Sequence, residues 1–147
     1  MSEQIAVKIH FGVETSKPEY LPSVEIKLNE NIVVQKQEIR HDDKLSFNLD
    51  LIDNKEYKLC LNRTGHNEKD KQILSLINLT VDDINLNKLL DMTMYKPQYP
   101  ALWLREQIDA GNEQPTYQTG WRDFGFNGQW QMQFTTPFYT WLLKNTC

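Results

Sequence analysis

Apolar and polar residues alternate along much of the N-terminal half of the chain. The first run begins at Ile5 and ends at Val13, and every second side chain in it is apolar. A period of two places those apolar side chains on one face, which is typical of a half-buried β-strand. Further runs of this kind lie at 24–28, 45–51, 57–61 and 73–81.

Short polar segments between these runs predict the turns. Asn29-Glu30-Asn31 separates the run 24–28 from the apolar residues 32–34, so we expect a hairpin there. The run 73–81 also carries Leu74 and Leu76 on its second face, which favours a central position in its sheet. Turns are also predicted at 41–43 and 53–54, and a polar loop at 62–71.

The pattern changes after Asp82. Residues 84–90 fit either an edge strand or a short helix. Pro100 suits the first position of a helix that ends at Ala110, because the missing N–H has no partner there in any case, and Gly111 provides the stop. The side chains expected to face inward from this helix are Ala101, Leu104 and Ile108.

The C-terminal residues predict a second short helix. It is capped at Thr136-Pro137, and Phe138, Trp141 and Leu142 follow at helical spacing. Seven or more short strands with one or two short helices are typical of a mainly β protein. The predicted fold is therefore one antiparallel β-sandwich of jelly-roll type, a single domain over residues 1–147.

Asn127-Gly128 is the strongest local signal in the chain. It lies between two aromatic-rich runs, and both residue types tolerate the positive φ of a two-residue type I′ hairpin. With that turn, Phe126 lies opposite Gln129, and Phe124 lies opposite Gln131. The face expected in the core consists of Trp121, Trp130, Met132 and Phe134.

The opposite face of this predicted hairpin is a candidate binding surface. It consists of Arg122, Phe124, Phe126, Gln129, Gln131 and Gln133. Aromatic rings match the apolar C–H faces of sugars, and amides or a guanidinium match their hydroxyl groups. The pattern predicts a glycan-binding face, with Tyr95, Tyr99 and Trp103 as its rim. The same composition suits a protein interface, or a surface covered by the C-terminal helix. Trp103 lies opposite the apolar stripe of its helix, so it is the tryptophan expected to be exposed.

Composition fits this fold and excludes several partners. Apolar residues make up 39% and charged residues 24% of the 147 positions, as in a globular domain. The formal charge of -4 comes without a basic cluster, so we expect no nucleic-acid partner. Because no apolar run approaches the roughly 20 residues of a membrane helix, we expect no membrane partner.

No catalytic motif is present in the sequence. A P-loop, a GxGxxG fingerprint and a nucleophile elbow are all absent. His10, His41 and His66 lie in separate segments, without the close spacing that prepares a zinc site. We therefore expect a non-catalytic protein. The alternative from another class is a small polysaccharide hydrolase that draws its two carboxyl groups from distant loops.

The polar loop 62–70 is rich in the oxygen donors that calcium prefers. It leads into the apolar strand 73–81, which ends at Asp82-Asp83. Residues 5–86 thereby resemble the calcium-dependent carbohydrate-binding modules of the xylan-binding type. The resemblance implies a β-sandwich and a calcium ion held by Asn67 and Asp70, and we add Asp82 and Asp83 as metal candidates. Lys69 and Lys71 flank the acid and depart from the family's Gly-, Asn- and Asp-rich loop.

A second resemblance rests on the C-terminal third. The Asn-Gly-x-Trp segment, the Tyr-Pro segment and the Pro-Phe-Tyr-x-Trp-Leu-Leu ending are similar to small β domains of marine bacteriophage structural proteins. This implies a module carried on a virus particle. The first residues also lack a secretion signal, so we expect the protein in a virion or in the host cytoplasm.

The expected function is ligand binding or assembly, with a glycan, a protein partner, a homo-oligomer or a virion as the binding partner. A free-standing, lectin-like carbohydrate-binding module is the alternative. No cofactor other than calcium is expected.

Overall fold

Two antiparallel β-sheets enclose one apolar core in the computed structural model, which describes residues 2–17, 19–66 and 71–146. The first sheet has the order β10-β6-β1-β4, with β7 paired to β6. Its strands are β1 (Ser2–Thr15), β4 (Lys44–Ile52), β6 (Gln72–Val81), β7 (Ile84–Asn85) and β10 (Asp123–Phe124).

The second sheet has the order β3-β2-β5-β11-β8-β9. Its strands are β2 (Ser23–Leu28), β3 (Asn31–Lys36), β5 (Glu56–Thr64), β8 (Met94–Pro97), β9 (Gln118–Thr119) and β11 (Gly128–Thr135). Helix α1 spans Ala101–Asp109, helix α2 spans Phe138–Thr146, and a 3-10 helix spans Asn87–Met92. In the described ranges, no helix has both the length and the apolar character needed to cross a membrane.

The register of β1 with β4 shows how alternation builds the core. Ile5 lies opposite Leu49, and Val7 lies opposite Phe47, so each pair points to the same face of the sheet. All four side chains are buried. Each buried apolar side chain of this size contributes about 1.5–3 kcal/mol to folding, so this face alone is a large part of the stabilisation.

The predicted strands are confirmed. All five alternating runs form strands, and the run 24–28 pairs with 31–36 in the expected hairpin. Strand β6 is an interior strand, because β1 pairs with one of its edges while β7 and β10 pair with the other. For segment 84–90 the sequence allowed either an edge strand or a short helix. The structure contains both, because β7 is followed by the 3-10 helix.

The two helices have the expected positions. Of the three α1 side chains expected to face inward, Leu104 is half-buried, whereas Ala101 and Ile108 are exposed. Among the described residues, α1 has no buried side chain, and Ile108 is 62% exposed. Its half-buried side chains are Trp103, Leu104 and Gln107. Helix α1 packs on other aromatic residues at the edge of the sandwich rather than on the core, so its contact face is turned toward Trp103. Trp103 is accordingly not the exposed residue that the helical pattern predicts.

The predicted Asn127-Gly128 hairpin is wrong. Strand β10 pairs with β6 in the first sheet, whereas β11 pairs with β5 and β8 in the second. Residues 125–127 therefore carry the chain from one sheet to the other. Among the described residues, positive φ occurs at neither Asn127 nor Gly128, so the type I′ turn is not formed.

Residue 128 must be glycine for a different physical reason. A Cβ atom at this position would lie 2.3 Å from the carbonyl oxygen of Lys96 and 2.8 Å from the hydroxyl oxygen of Tyr95. Strand β8 could not pair with β11 here if residue 128 had a side chain. The glycine is required by close strand approach and not by turn geometry.

The crossing between the sheets also corrects the predicted core face. Trp130, Met132 and Phe134 are buried as expected, because alternation within β11 fixes their direction. Trp121 is 47% exposed, so its predicted place in the core is wrong. Cys60 is a buried free thiol, and Cys147 lies outside the described residues.

Asp82 fastens α2 to the first sheet. Its Oδ1 atom accepts a hydrogen bond from the backbone N–H of Ala6 at 2.8 Å, and its Oδ2 atom accepts one from the Tyr139 hydroxyl. At the start of α2, the backbone N–H of Phe138 donates to Oε1 of Glu3 at 2.6 Å. Burial, followed by the contact with Asp82, raises the pKa of Tyr139 to about 12, so this hydroxyl remains a donor at neutral pH.

We expect Asp82→Asn to lower the free energy of unfolding by about 1 kcal/mol, because the amide replaces an ionised acceptor that two donors share. Asp83→Asn is the matched control, since both residues have positive φ and asparagine tolerates that conformation. Urea denaturation measures both variants. Equal stability of the two would show that the carboxylate of Asp82 does not fasten α2.

Candidate functional site

Five polar side chains lie directly opposite one another on five neighbouring strands of the second sheet. In order across the sheet they are Gln35, Glu25, Asn62, Gln129 and Lys96. Their sequence neighbours Val24, Leu61 and Trp130 point into the core, so these five side chains point outward. We call this set the polar row.

Hydrogen bonds join four of the five side chains of the polar row into a network whose donors all point the same way. Gln129 Nε2 donates to Asn62 Oδ1 at 2.9 Å, and Asn62 Nδ2 donates to Glu25 Oε1 at 3.3 Å. From the other side, Gln35 Nε2 donates to Glu25 Oε2 at 2.6 Å. Gln131 extends the network, because its Nε2 atom donates to Gln129 Oε1. Every N–H in the network thus points toward Glu25.

The Glu25 carboxylate fixes the orientation of these amides. An ionised carboxylate only accepts hydrogen bonds, so the NH₂ groups of Asn62 and Gln35 must face it. The hydrogen bonds from Gln35 and then Asn62 hold the pKa of Glu25 below its ordinary value, with Lys27 adding a smaller effect, so the carboxyl is ionised at neutral pH. Asn62 and Gln129 each keep one N–H and one oxygen lone pair that the network does not use.

A groove with a volume of about 630 Å³ lies over the polar row. Besides the row itself, its lining includes Lys36, Gln37 and Gln98. The groove is open to solvent and its floor is a sheet. Because the floor side chains come from regular strands, their spacing is set by the strand separation of about 4.8 Å.

Three aromatic residues form a cluster that adjoins the groove-lining residue Gln98 but does not itself line the groove. The ring of Trp103 lies 5.5 Å from the ring of Tyr99 and 5.0 Å from that of Phe126, and Tyr99 and Phe126 are 5.0 Å apart. All three side chains are half-buried. We call them the aromatic cluster. Gln98 links the cluster to the groove, because its backbone N–H donates to the carbonyl of Asn127 at 2.6 Å.

Buried Arg63 holds the segment that presents Phe126. One guanidinium nitrogen donates to Asn127 Oδ1 at 2.9 Å, and the other donates to the carbonyl and the side chain of Gln72 at 3.0 and 2.8 Å. Asn127 Oδ1 also accepts from the backbone N–H of His66 at 2.9 Å. Burial lowers the pKa of Arg63 to about 10, so the side chain stays charged at neutral pH. The sheet crossing is therefore fixed by a buried cation.

The structure divides the predicted binding face into four places. Gln129, Gln131 and Gln133 project outward from β11 as expected, although Gln131 is only 7% exposed. Phe126 joins Tyr99 and Trp103 in the aromatic cluster. The expectation that all six residues share one face is wrong, because it depended on the hairpin.

The remaining predicted residues lie elsewhere. Phe124 and Tyr95 are buried and stack on each other, with ring centroids 4.1 Å apart. Arg122 donates to the carbonyl of Asn87 at 2.9 Å and lies 3.5 Å from Asp91, near the edge of the first sheet. Ligand binding by any of the predicted residues stays a prediction.

The metal prediction falls partly outside the structure. Asn67 and Asp70 lie outside the described residues. Asp82 is engaged by Ala6 and Tyr139, and Asp83 is exposed. Within residues 2–17, 19–66 and 71–146, no three His, Cys, Asp or Glu side chains converge on a metal position. Calcium binding by Asn67, Asp70, Asp82 and Asp83 stays a prediction.

Histidines from two segments do meet on the first sheet. His10 Nε2 lies 3.0 Å from Asp42 Oδ1, and His41 Nε2 lies 3.6 Å from Asp42 Oδ2. His41 Nδ1 accepts the backbone N–H of Val13 at 3.2 Å, so the proton of the neutral ring is on Nε2. That N–H then faces the Asp42 carboxylate.

Glu25, Gln35 and Asn62 were missed by the sequence interpretation. The alternation in run 24–28 gives the outward direction of Glu25. Asn62 falls in the predicted loop 62–71, although the structure continues β5 through it to Thr64, and Gln35 lies just beyond the apolar residues 32–34. Their adjacency depends on the strand order β3-β2-β5-β11-β8, which local periodicity does not contain.

Comparison with known proteins gives one structural similarity. No protein-family model and no curated protein matches the sequence. Among solved structures, the chain is similar to one described as vCBM60 in complex with galactobiose, with a TM-score of 0.51 and 7% sequence identity. The match covers 86% of this chain and 95% of that chain. At this identity it shows the fold alone, and the expected β-sandwich is confirmed.

We expect Glu25→Gln to release the amide network, because glutamine both donates and accepts and no longer fixes its neighbours. The side-chain NH₂ signals of Asn62 and Gln35 should move upfield in NMR spectra and exchange faster with water. The unfolding free energy should change by less than about 0.5 kcal/mol at this half-buried surface position. Glu56→Gln, an exposed acid on the same strand as Asn62, is the control. Unchanged amide signals in Glu25→Gln would show that the carboxylate does not orient the row.

Proposed function

We propose that this protein binds carbohydrate in the groove over the polar row. The observation that carries the proposal is the set of amides held in one orientation by Glu25. A sugar hydroxyl both donates and accepts a hydrogen bond, so neighbouring hydroxyl groups match amides that each offer one N–H and one lone pair. Fixed amides lose little side-chain freedom on binding, which favours affinity.

The aromatic cluster supplies the second requirement of sugar recognition. Half-buried rings of Trp103 and Tyr99 offer an apolar surface for the C–H face of a pyranose. Their mutual packing, together with the hydrogen bond from the Tyr99 hydroxyl to the carbonyl of Pro115 at 2.7 Å, holds these rings in place. The fold similarity to vCBM60, solved with galactobiose, supports a carbohydrate ligand without identifying it.

The test is binding of neutral glycans, first on an array and then by calorimetry with galactobiose or the best array ligand. Asn62→Ala combined with Gln129→Ala should weaken binding at least about tenfold, since each lost hydrogen bond is worth about 0.5–1.5 kcal/mol. Asn48→Ala is the control, because Asn48 is an exposed amide on β4 of the other sheet. An affinity and a stoichiometry that are both unchanged in the double variant would place the glycan elsewhere, and no binding to any glycan would overturn the proposed function.

Assembly with other proteins, on a virus particle or as a homo-oligomer, is the second candidate. Helix α1 favours it, because none of its side chains is buried among the described residues and Leu102 is 71% exposed. Exposed apolar residues on a helix are common in interfaces. For self-association, light scattering of the purified chain should give an oligomer that Leu102→Ser dissociates. A monomer at all concentrations would overturn the homo-oligomer.

A further inference from the structure

A second outward-facing polar group lies on the same sheet, parallel to the polar row. Gln133 of β11 lies directly opposite Lys58 of β5. On the other side of Lys58 is Asn29, whose backbone N–H donates to the Lys58 carbonyl at 2.8 Å and whose Oδ1 atom accepts the Lys58 N–H at 2.9 Å. Gln133 is four residues from Gln129 along β11, so the two groups are about 13 Å apart.

Trp141 overhangs this second group from α2. A groove of about 530 Å³ is lined by Trp141, Gln133, Lys58 and Asn29, together with residues of β5 and β11. The indole is half-buried, and its ring lies 5.9 Å from the ring of Phe134 and 5.8 Å from that of Phe138. These contacts fix the orientation of the ring and leave part of it facing the groove.

The helix that carries Trp141 is itself fixed. Asp82 accepts the Tyr139 hydroxyl, and Glu3 accepts the backbone N–H of Phe138. Because both anchors lie within the first turn, the indole is placed relative to β11 before any ligand arrives. A site built in this way has little ordering cost on binding.

The residues between the two grooves separate them. Cys60 and Gln131 occupy the intervening positions on β5 and β11, and both are buried. The side-chain N–H of Gln131 donates a hydrogen bond to Gln129, whereas Gln133 is exposed. Among the described residues, no side chain hydrogen-bonds the Gln133 amide. The second groove therefore has its own free polar groups.

We propose that the Trp141 groove is a second saccharide site. This inference rests on the proposed function of the first groove. The partly open indole takes the C–H face of a sugar ring, the Gln133 amide pairs with a hydroxyl group, and the Lys58 ammonium donates to a second hydroxyl oxygen. A glycan chain long enough to bridge about 13 Å contacts both sites at once, which raises its affinity above that of either site.

Calorimetry with the neutral disaccharide that binds best, with galactobiose as the first probe, tests the proposal by its stoichiometry. The unmodified chain should bind two disaccharides. The double variant Gln133→Ala with Lys58→Ala should bind one disaccharide, at the polar row. The double variant Asn62→Ala with Gln129→Ala should bind one disaccharide, at the Trp141 groove. Trp141→Phe should weaken the second site at least about threefold while keeping an aromatic ring against Phe134 and Phe138. Lys44→Ala with Asn48→Ala, both exposed on β4, is the control and should leave both sites intact.

The outcomes separate this inference from the proposed function. One disaccharide per chain, unaffected by Gln133→Ala with Lys58→Ala, overturns the second site and leaves the first. If only the double variant Gln133→Ala with Lys58→Ala loses binding, the glycan binds in the Trp141 groove and the site at the polar row is overturned. Absence of binding to any neutral glycan overturns both. A circular dichroism spectrum for each variant, matching that of the unmodified chain, shows that a loss of binding is not a loss of fold.

Discussion

The second sheet depends on the absence of a side chain at residue 128. The Lys96 carbonyl and the Tyr95 hydroxyl occupy the space that a Cβ atom would need, so β8 can pair with β11 only at a glycine. That pairing places Lys96 opposite Gln129, and the residue after β8, Gln98, lines the groove. The same segment closes the core, because Tyr95 stacks on Phe124 of the first sheet. One small residue thus joins the two sheets and places the candidate site.

A buried charge accompanies this arrangement. Arg63 faces the interior between the sheets. Its two terminal nitrogens donate to neutral oxygens of Asn127 and Gln72, whereas its Nε atom has no hydrogen-bond partner among the described residues. Burying a guanidinium is costly unless its hydrogen bonds are made, and the benefit of such a group is a specific geometry. Here the geometry is the crossing at 125–127, which turns Phe126 toward Tyr99 and Trp103. The stability of the sandwich and the shape of the site are linked through this side chain.

Local patterns predicted the strands, and nonlocal pairing decided the site. Alternation with a period of two located β1, β2, β4, β5 and β6, and it oriented the inward and outward residues of β11 correctly. Asn127-Gly128 misled the pairing because a glycine that permits close approach looks the same in sequence as one that permits a turn. Without the strand order, Glu25 is one outward acid among many. Its role appears only when Gln35 and Asn62 lie on either side of it.

Helix α1 has nine residues and no buried side chain among the described residues. Isolated helices shorter than about 12–15 residues are marginal in water, so α1 exists because Trp103 packs on Tyr99 and Phe126. The formation of the helix and that of the aromatic cluster are therefore coupled. If a ligand binds against Trp103, part of the binding free energy is used to order the helix and the aromatic cluster. Amide hydrogen exchange in α1 would then become slower on binding.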